Sequence, residues 1–370
     1  MLAVCHKKNM VKKSLFWIYR ATLIALWLII IVLASSVLAL RYLILPHIDD
    51  YKDRITLSVS EAIGQKITIG HIDAGWNRLN PHLTLRKVDL YDKQNRPALS
   101  LDNIETSLSW LSIPLLEPRL SILTIHQPVL TVRREADGTV FVAGISMNGP
   151  ARPEFPNWLL RQSRIEVINA TILWQDDMRQ APPLTFNKLN LQIVSPAWQS
   201  LIGHHRFGLR ATPSAGSSQA IDLRGNVYGH DVSQPEQWHG TIYGHMESTD
   251  IAVWHKWVSY PFDLSEGFGA TQFWLHFAEG KPDRLTSDVI LSHVKARLLK
   301  NSAEAELNNL SGRLTWLLHA DGQELRAERI KIVTTGGLSL QSGELGARER
   351  LVAGKELIEG YVVLDEINLE

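Results

Sequence analysis

The sequence predicts a mainly β chain hung from one N-terminal transmembrane helix, with an antiparallel meander of short strands downstream and few short helices. Three observations predict it. A twenty-residue uncharged apolar run lies near the N-terminus, apolar residues alternate from residue 65 onward, and turn-forming residues separate the alternating runs.

The apolar run is Ala21 to Leu40, "ATLIALWLIIIVLASSVLAL", about the length a helix needs to cross a bilayer core of ~30 Å. Twelve of its residues are Leu, Ile or Val. At roughly −0.3 to −0.6 kcal/mol each, they favour insertion by about 5 kcal/mol. The membrane contacts fall to Leu23, Ile24, Leu26, Trp27, Leu28, Ile29, Ile30, Ile31, Val32 and Leu33. Lys7, Lys8, Lys12, Lys13 and Arg20 precede the run, and the first acid is Asp49. This asymmetry predicts a cytoplasmic N-terminus with the bulk across the membrane, and Trp17, Tyr19 and Tyr42 suit the two interfaces. A cleaved signal peptide would have a shorter core of ~7–15 residues followed by a small-x-small site. Here Ala34-Ser35-Ser36 lies inside the run, so an uncleaved anchor is expected.

The expected organisation is a cytoplasmic N-terminus (1–20), an anchor (21–45), an amphipathic helix (46–64) and a β region (65–370). The helix follows from Ile48, Tyr51, Ile55, Val59 and Ala62 at three-or-four spacing, with Gly64 as a left-handed cap. After Gly64 the period changes to two. "KITIGHI", "PHLTLRKVDLYD", "PALSLDNIETSLSWLSI", "RLSILTIHQPVLTVRRE" and "TVFVAGI" alternate or nearly so. Asn77 with Asn80-Pro81, Gln94 to Pro97, and Asp137-Gly138 supply the turns. The phase slip between Leu85 and Val88 predicts a bulge or bend.

Phe155 to Gln162 and Asp250 to Val258 are candidate short helices, the second with Asp250 as N-cap and Ile251, Trp254 and Trp257 or Val258 inward. Ala211 to Ala220, "ATPSAGSSQA", reads as a long hairpin loop or a domain boundary. Two echoes point to stacked hairpins. "GNVYGH" (Gly225 to His230) returns as "GTIYGH" (Gly240 to His245), and "WLHFAEG" (Trp274 to Gly280) as "WLLHADG" (Trp316 to Gly322).

Composition and motifs exclude much chemistry. The 38 basic and 38 acidic residues give no net field for nucleic acid, even with ten tryptophans beyond the anchor. Cys5 is the only cysteine, so disulfides and thiolate zinc sites are excluded downstream. His204 and His205 are adjacent and would face opposite ways in a strand, whereas His230 and His245 could meet across a hairpin. Neither HExxH, GxSxG nor a phosphate loop occurs. Ser292 to Lys295 matches SxxK but falls in a strand-like run without its companion motifs. Gly225, Gly229 and Gly336-Gly337 follow strands without opening helices, so they read as turns or bulges. The expectation is a protein that is not an enzyme, without metal or cofactor.

The anchor, the helix ending at Gly64 and "ITIGHIDAGWNRLNPHLTLRKVDL" resemble the start of AsmA-like proteins, most closely the YhdP branch. "LSILTIHQPVLTVRREADGTV", "RQSRIEVINATILWQDD", "LTFNKLNLQIV", "QWHGTIYGHMESTDIAVWHKW" and "GFGATQFWLHFAEG" extend the resemblance over nearly the whole chain. The resemblance implies an elongated, twisted antiparallel sheet curled into a groove, in an inner-membrane protein whose bulk is periplasmic. It also implies movement of phospholipid toward the outer membrane. Members of that branch are usually several times longer, so the chain resembles their N-terminal portion.

About twenty crosswise strands would make such a groove roughly 100 Å long. In "RLSILTIHQPVLTV", Leu123, Ile125 and Val129 form one candidate row facing acyl chains, and Ile122, Leu130 and Val132 the other. The partners implied are phospholipid acyl chains, the inner membrane, and a second envelope protein or a C-terminal continuation. A competing reading is a structural or assembly factor of the envelope that binds proteins by strand addition and conducts no lipid.

Overall fold

The computed structural model describes residues 2–369 apart from 64–65, 79, 92–96, 116, 147–153, 201, 261, 298–302, 320–321 and 353–354. Helix α1 (Leu2–Ala39) carries the apolar run. Its most apolar window has a mean hydropathy of 2.9 and no buried residue, so it is long and apolar enough to cross a membrane. A π turn (Leu40–Ile44) and a 3₁₀ segment (Leu45–Tyr51) follow, with His47 outside helical geometry at φ −116° and ψ 22°. Helix α2 (Lys52–Ile63) then begins. The single amphipathic helix expected over 46–64 is therefore two pieces. Ile48, Ile55 and Val59 pack on the sheet as the spacing predicts, while Tyr51 is exposed. The expected cap at Gly64 lies outside the described residues.

The rest is one sheet. Its first strands are β1 (Ile67–Asn77), β2 (Asn80–Tyr91) and β3 (Pro97–Leu108), then the short helix α3 (Ser112–Leu115), β4 (Leu120–His126) and β5 (Val129–Arg134). An excursion follows through β6 (Val140–Val142), β7 (Ile145–Ser146) and helix α4 (Glu154–Leu160). The chain then runs through β8 (Arg164–Asp176), β9 (Ala181–Val194), α5 (Ala197–Ser200), β10 (His204–Pro213), β11 (Ile221–Tyr228) and β12 (His239–Asp250). Long strands finish it: β13 (Asp263–Ala278), β14 (Lys281–Arg297), β15 (Ala305–His319), β16 (Gly322–Thr334), β17 (Leu338–Val352) and β18 (Lys355–Leu369).

Among the described pairings each strand pairs antiparallel with its sequence neighbour, except that β4 does not pair with β5 nor β7 with β8. Instead β4 and β5, end to end, both run parallel to β8, because the excursion returns the chain to the end from which β4 started. Among the described pairings β1 and β18 each have one partner, so the sheet is open. Eighteen strands make fifteen crosswise rows, and fourteen steps of ~4.8 Å give a length of roughly 67 Å. The expected twenty strands and roughly 100 Å were overestimates, because short runs such as β6 and β7 add no rows.

The exposed surface, 23288 Å², exceeds the roughly 15,000 Å² of a compact monomer of 41.7 kDa. The projecting α1 accounts for part of this, and the unstacked sheet for much of the rest. Burial is confined to separate clusters, such as Ile67, Ile69, Ile72, Val88 and Leu90 under α2, and Leu264, Val289, Leu291 and Val294 under residues 251–262.

The predicted slip after Leu85 is real. Lys87 has φ 52°, and across it the side chains packed in one cluster pass from Leu85 to Val88 and Leu90 while the β2–β3 register is kept. Left-handed residues recur at Gln127, Asn169, Lys188, Ser248, His293 and Arg329, each with a polar side chain. Those at Gln127, Asn169 and Lys188 lie side by side on neighbouring strands. Such bulges bend and twist a strand. Beside them Ala170, Leu189 and Ala211 are buried, and their apolar neighbours all belong to the same three strands, β8 to β10.

The connection at 251–262 holds only a 3₁₀ turn, Val253–Lys256, where a helix over Asp250 to Val258 was expected, although Asp250 does accept from the Val253 amide at 3.2 Å. Residues 211–220 end β10 and form its loop to β11, a hairpin loop and not a domain boundary.

The segment before β1 covers that strand's outer edge. Asp49 Oδ1 accepts from the Ile72 amide at 3.1 Å, Lys52 Nζ donates to the Gly70 carbonyl at 3.3 Å, and Ser60 Oγ accepts from the Ile67 amide at 3.0 Å. Asp49→Ala should therefore speed hydrogen exchange at Ile72 by roughly tenfold while leaving amides of β9 unchanged. Asn169→Val should cost about 1–2 kcal/mol in urea unfolding, and Asn169→Gly far less, because only the first forces a β-branched residue into the left-handed region.

Candidate functional site

Strand registers connect one residue per row into a line across the whole sheet. It begins Ile72, Leu85, Ile104, Ile125, Val167, Leu191 and Leu209, each opposite the next. It continues through Leu223, Gly244, Phe273, Ser287, Leu314, Ala327, Leu345 and Val362. Ser287 is its one polar side chain. The adjacent line on the other face reads Asp73, Thr84, Glu105, Thr124, Glu166, Gln192, Gly208 and Arg224. The first line thus stays apolar on one face from the first row to the last, while the second is polar over its first eight rows and then passes through Tyr243 and Trp274. Most of the apolar line is half-buried, which is the state of a face that nothing seals.

The bulges keep the two faces separate. Leu123 and Ile125 stand opposite Ile165 and Val167 on the apolar face. After Gln127 (φ 50°) the phase reverses, so Leu130 and Val132, opposite Ile172 and Trp174, continue that face. Val129 falls on the other side and is 68% exposed. The expected row Leu123, Ile125, Val129 is therefore not one row; the face takes Leu123 and Ile125 from one candidate set and Leu130 and Val132 from the other. A Gln-Pro pair inside an alternating run was the only sequence signal for the switch.

Glycines shape the face where the echoes occur. A Cβ on Gly225 would stand 2.2 Å from the Phe207 ring, and one on Gly244 2.1 Å from the Phe273 ring. The rings lie flat across these glycines, so the GNVYGH and GTIYGH strands carry apolar surface without bulk of their own. The two strands are neighbours, yet His230 and His245 do not meet, since His245 stands opposite Asp222. In the second echo Trp274 faces the polar side and Trp316 the apolar side, a shift of one residue.

Two elements close parts of the apolar face. Helix α2 covers its first rows, and residues 251–262 cross it near β14 and β15. The latter are pinned by Trp257 Nε1 donating to the Pro182 carbonyl at 3.0 Å and by Arg179 Nη1 donating to Ser259 Oγ at 2.8 Å. Depressions with walls lie on the polar face instead. One, of ≈ 560 Å³, is lined by Asn77, Arg78, Asn80, Ser107, Ser121 and Ile122.

The motifs weighed for chemistry are held in structural bonds. Ser292 Oγ donates to the Phe268 carbonyl at 3.1 Å, and Lys295 pairs with Glu266 at 2.8 Å. His204 and His205 face opposite ways as expected, with His204 near Asn226 and His205 buried. His205 Nδ1 lies 2.6 Å from Ser195 Oγ and Nε2 lies 3.1 Å from the Gly229 carbonyl. Ser195 is fully buried, out of reach of any substrate. Among the described residues no group of three His, Cys, Asp or Glu could hold a metal ion.

Compared with known proteins, the chain matches one family model, described as YhdP protein, over residues 7–370. No curated protein and no solved structure matches it.

Burial lowers the pKa of His205, outweighing its bond to the Gly229 carbonyl. The unfolded ring, titrating near 6.5, takes up a proton more readily than the folded one, so this contribution is complete above that pH and lost below it. The melting temperature should fall between pH 7.5 and 5.5, and His205→Gln should flatten that dependence.

Proposed function

The chain belongs to the YhdP family, whose model covers residues 7–370, and from that premise we propose that it is an inner-membrane-anchored periplasmic protein that holds phospholipid acyl chains on its apolar face and passes them toward the outer membrane. In this reading α1 crosses the membrane once with its N-terminus in the cytoplasm, following the basic residues that precede the apolar run. The protein acts as a surface and performs no chemical step.

The observation that carries the reading is the apolar line itself, unbroken in face across fifteen rows and half-exposed along most of its length. A folded domain leaves so long an apolar face open only where something is bound there. Acyl chains fit it. Each fully buried methylene contributes about 0.8 kcal/mol, so half-covering one sixteen-carbon chain contributes roughly 6 kcal/mol. That holds a lipid without trapping it. At the β1 edge, strand addition in the assembly reading would have to displace the bonds from Asp49, Lys52 and Ser60.

Leu191→Asp with Leu209→Asp would set two charges in the middle of the line, where neighbouring strands place these residues opposite each other. Lipid extracted from the purified chain should fall severalfold while the far-ultraviolet circular dichroism keeps its β signature. Gln192→Asp, one position along on the polar face, should leave lipid content unchanged. Equal lipid in all three proteins would refute the proposal, and co-purifying proteins without lipid would favour an assembly role.

A further inference from the structure

The loop between β3 and β4 has the chemistry of a membrane-inserted element, and we propose that it rests in the interface of the bilayer that α1 crosses, as a second contact with that membrane. The inference rests on α1 being a membrane anchor, but not on lipid being carried by the sheet. Its side chains point outward: Leu111 is 40% exposed, Ile113 48% and Leu115 52%. A loop whose only task was to join two strands would not present three large apolar side chains to water side by side.

Several of the loop's described polar groups are occupied internally, which favours an environment poor in water. The Ser109 amide donates to the Arg119 carbonyl at 2.8 Å, closing the loop at its base. Ser112 Oγ donates to the same carbonyl at 3.1 Å and accepts from the Arg119 amide at 2.9 Å. The Leu115 amide donates to the Leu111 carbonyl at 3.2 Å. The apolar side chains are thus presented on a preformed support, with little left to order on insertion.

Charge and position fit the same occupant. Glu117, the loop's acid, is paired with both Arg119 at 3.0 Å and Arg161 at 2.6 Å, leaving the cluster net positive, as suits an anionic leaflet. The loop is also continuous with the anchor. Arg41, just past α1, lies over the Trp76 ring at 5.5 Å, and Trp76 and Trp110 are 6.4 Å apart. Tyr42 and Leu43 beside Arg41 are exposed as well. Aromatic and cationic side chains collected where a helix leaves a bilayer are the expected furniture of its interface.

The test labels single cysteines in the full chain, with Cys5→Ser removing the only native one. Ile113→Cys, Met178→Cys and Trp27→Cys are each labelled with an environment-sensitive fluorophore and reconstituted in nanodiscs of phosphatidylethanolamine and phosphatidylglycerol containing lipids spin-labelled near the headgroup or deep in the chain. Met178 is 56% exposed in the turn after β8, at the far end of strands about 40 Å long. Headgroup-labelled lipid should quench position 113 at least threefold more than position 178, and deep-labelled lipid should quench position 27. Equal, weak quenching at 113 and 178 with strong quenching at 27 overturns the loop's role alone. Weak quenching at all three overturns the anchor and the loop together, while the lipid analysis of the sheet variants is judged separately.

Discussion

The structure depends on keeping one side-chain phase across fifteen strands. Alternation in a strand is unforgiving: a slip of one residue exchanges the two faces for everything beyond it. A sheet this wide must bend, and bending requires extra residues. The chain reconciles the two demands by placing bulges on neighbouring strands together, so that Gln127, Asn169 and Lys188 shift their strands in step. The apolar face therefore continues past these residues without being interrupted. Ala170 and Ala211 are buried beside them, and Asn190 ties two of the left-handed positions by accepting from the Asn169 amide and donating to the Lys188 carbonyl.

The same economy governs the edges. An open sheet presents unpaired backbone at its first strand, which would recruit any passing strand. Here the chain that leaves the apolar helix α1 turns back along β1, and the side chains of Asp49, Lys52 and Ser60 take up that backbone. The connection from α1 and the protection of the edge are one element. The first rows of the apolar face are closed by the same helix, through Ile55 and Val59, so the open part begins beyond it.

Much of this was legible in the sequence because it is local. The uncharged run from Ala21, the switch to period two after Gly64, the turn at Asp137-Gly138 and the slip near Lys87 each depend on a few adjacent residues. The face assignment was legible in half. Leu123 and Ile125 alternate visibly, but the reversal at Gln127 depends on a single backbone angle, signalled in the sequence only by the Gln127-Pro128 pair. The parallel join and the number of rows were hidden for another reason: both depend on where the chain returns after β7, a long-range choice. The hold of residues 251–262 on Pro182 likewise joins positions 75 apart in sequence. The tryptophans were misleading guides, since equivalent residues of an echo, Trp274 and Trp316, ended on opposite faces.

The order of strands along the sheet carries a consequence for how the chain is made. Among the described pairings every strand after β1 except β5 and β8 finds its partner in the segment synthesised immediately before it, so most contacts are short in sequence and loop closure is cheap. A polypeptide emerging in sequence order could zip row onto row as each appears, with the segment before β1 already laid along the starting edge. Only at β8 must the growing ribbon wait. Leu123 meets Ile165 across the entire excursion through β6, β7 and α4. Until that segment arrives, the β4–β5 edge stands bare. A stall, a protease or a chaperone acting during biogenesis would find its opening there.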